Sequence, residues 1–170
     1  INETKNIDIF KGFKYIKKNK GLHRLLIMTI INNFFIMGPA ILGLQVYTKD
    51  VLKGDFVVLA QLEAFMALGM IVGSLIFSKF SKHLPANRIL LYGIFIDGIT
   101  FCLFYLITNK SIALIALFVH GIGIPLITVS RTTIIQYKVP AKFRGRIFAI
   151  IYMAVMGTTA ISIFTTGLVL

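Results

Sequence analysis

The stretch SIALIALFVHGIGIPLITVSRTTIIQY, residues 111 to 137, decides the fold. Its 27 positions carry a single formal charge, Arg131. A helix of that length rises about 40 Å, enough to cross the hydrocarbon of a bilayer. Four further stretches read the same way: Leu25 to Thr48, Val57 to Ser78, Ile89 to Asn109 and Ile147 to Leu170. Together the five occupy 118 of 170 positions. With 57% apolar residues, 14% charged residues and a mean hydropathy of +0.87, too little polar surface remains to cover a water-soluble globule. The expected fold is all-α, a polytopic transmembrane helix bundle. Residues 1–21 form a cytoplasmic basic amphipathic linker and residues 22–170 a domain with spans at about 25–48, 57–78, 89–109, 111–137 and 147–170.

The net charge of +12 would suggest nucleic acid in a soluble chain, but its location argues otherwise. Of 18 Lys and Arg residues, 14 fall in residues 1–24, 79–88 and 138–146. These segments alternate with the nearly neutral connections at 49–56 and 109–110. Cytoplasmic loops of membrane proteins carry such an excess, so the basic segments and the amino terminus are expected in the cytoplasm of a bacterial cell, with no nucleic-acid partner. The connections are short, so sequential helices are expected to be antiparallel neighbours in one bundle.

The chain opens with Ile1 and some twenty polar and basic residues, and it is read as a piece of something longer, with a further helix expected beyond Leu170. At 100° per residue Ile9, Phe10, Phe13 and Ile16 share one side of a helix, and Lys11, Lys14 and Lys18 the other. Gly12 weakens that helix and Gly21 is placed to stop it. The segment reads as an element packed on the cytoplasmic face of the membrane, its alternative being a solvated basic loop. The lone cysteine, Cys102, has no disulfide partner and reads as a small core residue.

Ionisable side chains inside hydrocarbon are costly and mark function or pairing. There are four, Glu63, Asp97, His120 and Arg131. Counted from the loops, Asp97 and Arg131 lie about 13 and 10 Å from the cytoplasmic side, which predicts an ion pair joining the third and fourth spans, structural rather than transporting. Glu63 and His120 lie about 10 and 13 Å from the outer side. A carboxylate and an imidazole buried together can exchange a proton, as a proton-coupled transporter requires; alternatively Glu63 is protonated or reaches the outer interface, and His120 bonds a carbonyl. Asn32 and Asn33, followed by Gly38 and Pro39, and His120 with Gly121, Gly123 and Pro125, combine hydrogen-bonding capacity with kinks. Such helices line transporter cavities. Gly69 and Gly73 form a GxxxG that permits close helix approach.

No Walker loop, GxSxG, HExxH or Cys/His cluster is present, so the chain is expected to be no enzyme, to bind no metal and to need no cofactor.

GSLIFSKFSKHLPANRILLYG, residues 73–93, resembles the loop between the eighth and ninth helices of major facilitator superfamily transporters. VPAKFRGRIF, residues 139–148, is similar to the Pro-x-x-x-Arg-Gly-Arg segment before helix eleven in the branch holding macrolide-efflux proteins and enterobactin exporters. GFKYIKKN, residues 12–19, is similar to the basic segment before helix seven there. The resemblance implies helices seven to eleven of twelve in a secondary active transporter working by alternating access. That means proton-coupled efflux of amphipathic small molecules, with nutrient import or a non-transporting interaction protein as alternatives. It implies partners in a small-molecule substrate, protons, the bilayer and an amino-terminal half. It puts Asn32, Asn33 and His120 on the cavity and makes helix nine, with Asp97, an outer support. Gly73, Lys82, Arg88, Pro140, Arg144, Gly145 and Arg146 fall at the cytoplasmic gate. Where the family loop carries Asp-Arg-x-Gly-Arg, this chain has Lys82-His-Leu-Pro85-Ala86, which leaves Lys82 and Arg88 as topology anchors.

Overall fold

The computed structural model describes residues 9–170, which form six helices and no strand. Helix α1 runs Ile9–Lys18, α2 Lys20–Val51, α3 Phe56–Phe80, α4 Ala86–Phe104, α5 Lys110–Lys138 and α6 Ala141–Val169. Helices α2 to α6 are each long and apolar enough to cross a membrane.

Polar caps set three helix starts. Asn19 accepts from the backbone N–H groups of Gly21 and Leu22, Asp55 from those of Val57 and Val58, and Asn109 from those of Ser111 and Ile112. The break expected at Gly21 therefore falls at Asn19, because a side-chain acceptor satisfies the orphan donors of the next helix there. Helices α4 and α6 begin directly after Pro85 and Pro140. The third span stops at Phe104 instead of Asn109, the last residues before Asn109 being taken up by the turn into α5. Pro39 does not end α2; Pro39–Gly43 and Tyr47–Val51 wind as π-helix on either side of the α-turn Leu44–Val46. The wider turn accommodates a residue that has no N–H to give.

Glycines decide which helices pack. A Cβ on Gly69 would lie 2.0 Å from the Phe118 carbonyl oxygen, and one on Gly121 would lie 2.1 Å from that of Met66, so α3 and α5 cross backbone on backbone. Gly73 continues this seam against Ile122 and Pro125. On the other side of α5, a Cβ on Gly123 would stand 3.1 Å from the Gly93 carbonyl oxygen of α4. The central helix is thus α5, clasped by α3 and α4, while α2 packs on α6. Of the sequential helices, α4 and α5 are the close antiparallel neighbours that short connections suggested, whereas α3 and α4 barely touch, since both spend their small-residue faces on α5. Cys102, expected in the core, is exposed because α4 turns a different face, that of Gly93, Asp97 and Thr100, inward.

The α2–α6 seam is polar. Asn33 Nδ2 donates to the Val155 carbonyl (3.0 Å) and to Thr159 Oγ1 (2.8 Å). The fully buried Ser162 hydroxyl accepts from the Gly38 N–H at 2.7 Å and donates to the Phe34 carbonyl. Ser162→Val is expected to strand both backbone groups and to cost about 1–2 kcal/mol, the range of interhelical hydrogen bonds in membranes. A lowered melting temperature in detergent would record it, and an unchanged one would refute it.

Candidate functional site: a cavity with a buried Asp–His pair

Helices α2, α3, α4 and α5, with Val155 of α6, line a cavity of about 1000 Å³ that is open on one side. Its walls are mostly apolar, with contributions from Met28, Met37, Met66, Phe101 and Phe104, and its polar groups are few: Thr29, Asn32, Asn33, Gln45, Tyr47, Glu63, Asp97, Tyr105, His120, Thr128 and Arg131. That combination, greasy walls with sparse polar groups, suits a bulky amphipathic molecule. The Tyr47 hydroxyl donates to the Ile107 carbonyl at 2.8 Å and ties α2 to the connection after α4.

In its wall Asp97 and His120, with the neighbouring Thr100, are all buried. His120 Nδ1 lies 3.0 Å from Asp97 Oδ1 and 3.1 Å from Thr100 Oγ1. The Thr100 hydroxyl gives its one proton to the backbone, to the carbonyl of Ile96 or Asp97, so it faces the imidazole as an acceptor. The carboxylate is also an acceptor, and Nδ1 is therefore assigned as the protonated ring nitrogen. Thr100 Oγ1 is the hydrogen-bond partner of that nitrogen, and Asp97 Oδ1, although 3.0 Å from it, has no hydrogen bond among the described residues. Asp97 Oδ2 accepts from Asn32 Nδ2 of α2 at 3.2 Å. Phe101 covers the imidazole edge-on, ring centroids 5.0 Å apart. One carboxylate thus connects three helices at the cavity wall.

The expected pairs are corrected by this arrangement. Asp97 faces His120 rather than Arg131, because the Gly93–Gly123 contact sets the register of the antiparallel α4 and α5. Asp97 lies four residues from that contact toward the 109–110 connection and Arg131 eight residues from it toward the 138–146 segment, an axial separation of roughly 18 Å. The Gly69–Gly121 contact likewise leaves Glu63 about 7 Å nearer the 49–56 connection than His120, and Glu63 is not paired with it. Counting depth from the loops failed since the helix ends are not level. Glu63 and Arg131 both line the cavity, with no ion pair among the described residues. Nor is α4 a mere outer support, since Asp97 reaches the cavity wall.

The expected gate residues are scattered in role. Arg144 Nε donates at 2.9 Å to the carbonyl of Val139, the C-terminal cap of α5, whereas Arg146 packs with Lys142 against the Phe143 ring. Lys82 and Arg88 are exposed, Pro140 precedes α6, and nothing lies within 4 Å of a Cβ built on Gly145. Pro125, Gly121 and Gly123 sit within an uninterrupted α5, and the two glycines are contact points. The sequence reading missed Thr100, Tyr47 and Ser162. Thr100 had a signal, three residues after Asp97 on the same helix face, and Ser162 another, in the stripe of Thr158, Ser162 and Thr165.

The family model described as Major Facilitator Superfamily matches residues 2–163. The chain belongs to the Major Facilitator Superfamily. Members of this superfamily are transporters, so the chain is a multi-pass membrane protein and not an enzyme. Among curated superfamily relatives, Macrolide efflux protein A of Streptococcus pyogenes is 24% identical over 142 residues, 82% of this chain and 35% of that protein. Macrolide efflux protein A of Enterococcus faecalis is 24% identical over the same length, 82% of this chain and 44% of the relative. The chain therefore spans less than half the length of these relatives. No solved structure matches it significantly.

Proposed function

We propose that the chain forms part of a proton-coupled exporter that moves amphipathic small molecules, macrolides among them, by alternating access together with a second half-bundle. The observation that carries this reading is the buried Asp97 Oδ1, without a hydrogen bond among the described residues and 3.0 Å from an imidazole at a cavity wall. A proton taken up at His120 Nε2 lets the Nδ1 proton pass to Oδ1, which changes from an acceptor without a donor into an O–H donor, and leaves the imidazole as the Nε2–H tautomer accepting on Nδ1. Loss of the carboxylate charge weakens the Asn32 bond, since a hydrogen bond to a charged acceptor is about twice as strong as one to a neutral acceptor. The tie between α2 and α4 then slackens, and the proton biases one cavity conformation over the other. The basic segments 1–24, 79–88 and 138–146 face the cytoplasm in this scheme.

The test is transport by the full-length protein in proteoliposomes holding a pH-sensitive dye. A macrolide or an amphipathic dye moving across the membrane is expected to drive protons the opposite way, and an imposed pH gradient to concentrate the substrate. Substrate movement with no proton movement sinks the coupling; movement only with the proton would make the protein an importer.

A further inference from the structure

Helix α1 is docked by a face other than the one its apolar residues predict. Gly12 and Ile16 are buried, a Cβ on Gly12 would stand 2.7 Å from Ile150 Cδ1 and 3.2 Å from Arg146 Cβ, and Tyr15 stacks on Phe143 at 4.8 Å. Ile16 joins Leu22, Leu25, Ile135, Ile147 and Ile150 in the largest core cluster. Phe10 and Phe13, expected on the same side as Ile16, instead point away from the bundle, 84% and 47% exposed. Lys14 and Lys17 follow them at helical spacing on that face, both exposed.

The contact with α6 fixes where this face lies. Arg146 to Ile150 is the point at which α6 passes from its basic start, Lys142, Arg144 and Arg146, into the apolar run beginning at Ile147. That transition marks the boundary between headgroups and acyl chains. Two phenylalanines projecting from a helix held at that depth, with lysines one turn on, have the composition of an interfacial anchor whose rings enter the acyl boundary while the ammonium groups reach up to the headgroups. The charge there is one-sided. Residues 1–24 hold seven Lys and Arg against two acidic residues, and the acidic side chains among the described residues, Asp50, Asp55, Glu63 and Asp97, all lie elsewhere.

We infer that α1 is a lipid-binding element, seated through Phe10 and Phe13 in the bilayer that holds the bundle and selecting anionic phospholipids through Lys14 and Lys17. This surface works whether or not the chain exports anything, and its test is separate from transport. Trp is absent from these 170 residues, so Phe13→Trp introduces the sole indole among them, any Trp elsewhere in the full-length protein being replaced by Phe. The full-length protein is reconstituted in equimolar phosphatidylglycerol and phosphatidylcholine with bromine on the acyl chains of one lipid or the other. Quenching by both is expected, stronger from brominated phosphatidylglycerol. Each lysine near an anionic surface is worth about fivefold in association, and the K14Q/K17Q pair is expected to remove the preference while leaving the quenching. Phe95→Trp, whose parent side chain is exposed mid-helix on α4, should be quenched equally by both lipids and so verifies the reconstitution. Quenching at position 13 by aqueous iodide instead of brominated lipid would show a solvated helix and overturn the inference. Protection from both quenchers would show a protein segment covering the face and would overturn it equally, and equal quenching by the two lipids would remove the anionic partner.

Discussion

Asp97→Asn is expected to uncouple transport. The substitution keeps the size of the side chain and an oxygen for Asn32, but its amide cannot take up and release a proton at the position of Oδ1 beside His120. In proteoliposomes the substrate accumulation driven by an imposed pH gradient should fall by one to two orders of magnitude, the size of a typical coupling free energy between two sites. Exchange of labelled for unlabelled substrate, which needs no net proton movement, should persist. His120→Gln should show the same split, because it removes the other half of the exchange while keeping a polar group against Thr100. The contrast between the two assays matters, since a variant that had merely misfolded would lose both. Gradient-driven accumulation undiminished in Asp97→Asn would refute the role of the pair. Glu63→Gln separates this reading from the one the sequence suggested: with no partner in common with His120 among the described residues, it should leave the coupling ratio unchanged.

The largest effect on stability is expected at the α3–α5 crossing. A methyl group on Gly69 would sit 2.0 Å from the Phe118 carbonyl oxygen, far inside van der Waals contact, and the obstructing atom is backbone, which cannot rotate out of the way. Gly69→Ala is therefore expected to push the two helices apart and to cost roughly 3 kcal/mol, the upper range for overpacking a tight interior. The damage would travel to the site, since His120 adjoins the partner glycine, Gly121. Gly145→Ala provides the comparison, because nothing lies within 4 Å of a Cβ there, and it should be neutral or gain up to about 1 kcal/mol from helix propensity. Melting followed by the loss of the monodisperse peak in detergent would measure both. Equal melting of Gly69→Ala and Gly145→Ala would mean that the crossing tolerates a side chain and that the register argument for Asp97 and His120 fails with it.

That register explains which parts of the site could be read in advance. Asn32, Asn33, Glu63, Asp97, His120 and Arg131 stand out in the sequence because each is a polar group in hydrocarbon, and all six line the cavity. Their pairing was not legible, because matching depths requires knowing how far one helix slides along the next, and loop lengths do not carry that. It is carried by Gly93 against Gly123 and Gly69 against Gly121, contacts between residues without side chains whose partners no local pattern names. Helix α1 shows the same limit on a smaller scale. Its helical periodicity was plain, but Gly12 turned out to be the docking point, and the direction of Phe10 and Phe13 followed from that.

By itself, then, the sequence determined the membrane-crossing character, the number and approximate extent of the spans and the family, since burial of backbone polar groups in lipid forces apolar runs of about twenty residues into helices wherever they occur. Only the tertiary structure decided that α5 is central, that α2 lies against α6, and that Asp97 meets His120 rather than Arg131. The physical reason is that lipid solvates any apolar helix face about equally well. The choice of neighbour falls to close approach at small residues and to a few interhelical hydrogen bonds, and these are properties of pairs of helices, not of any one of them.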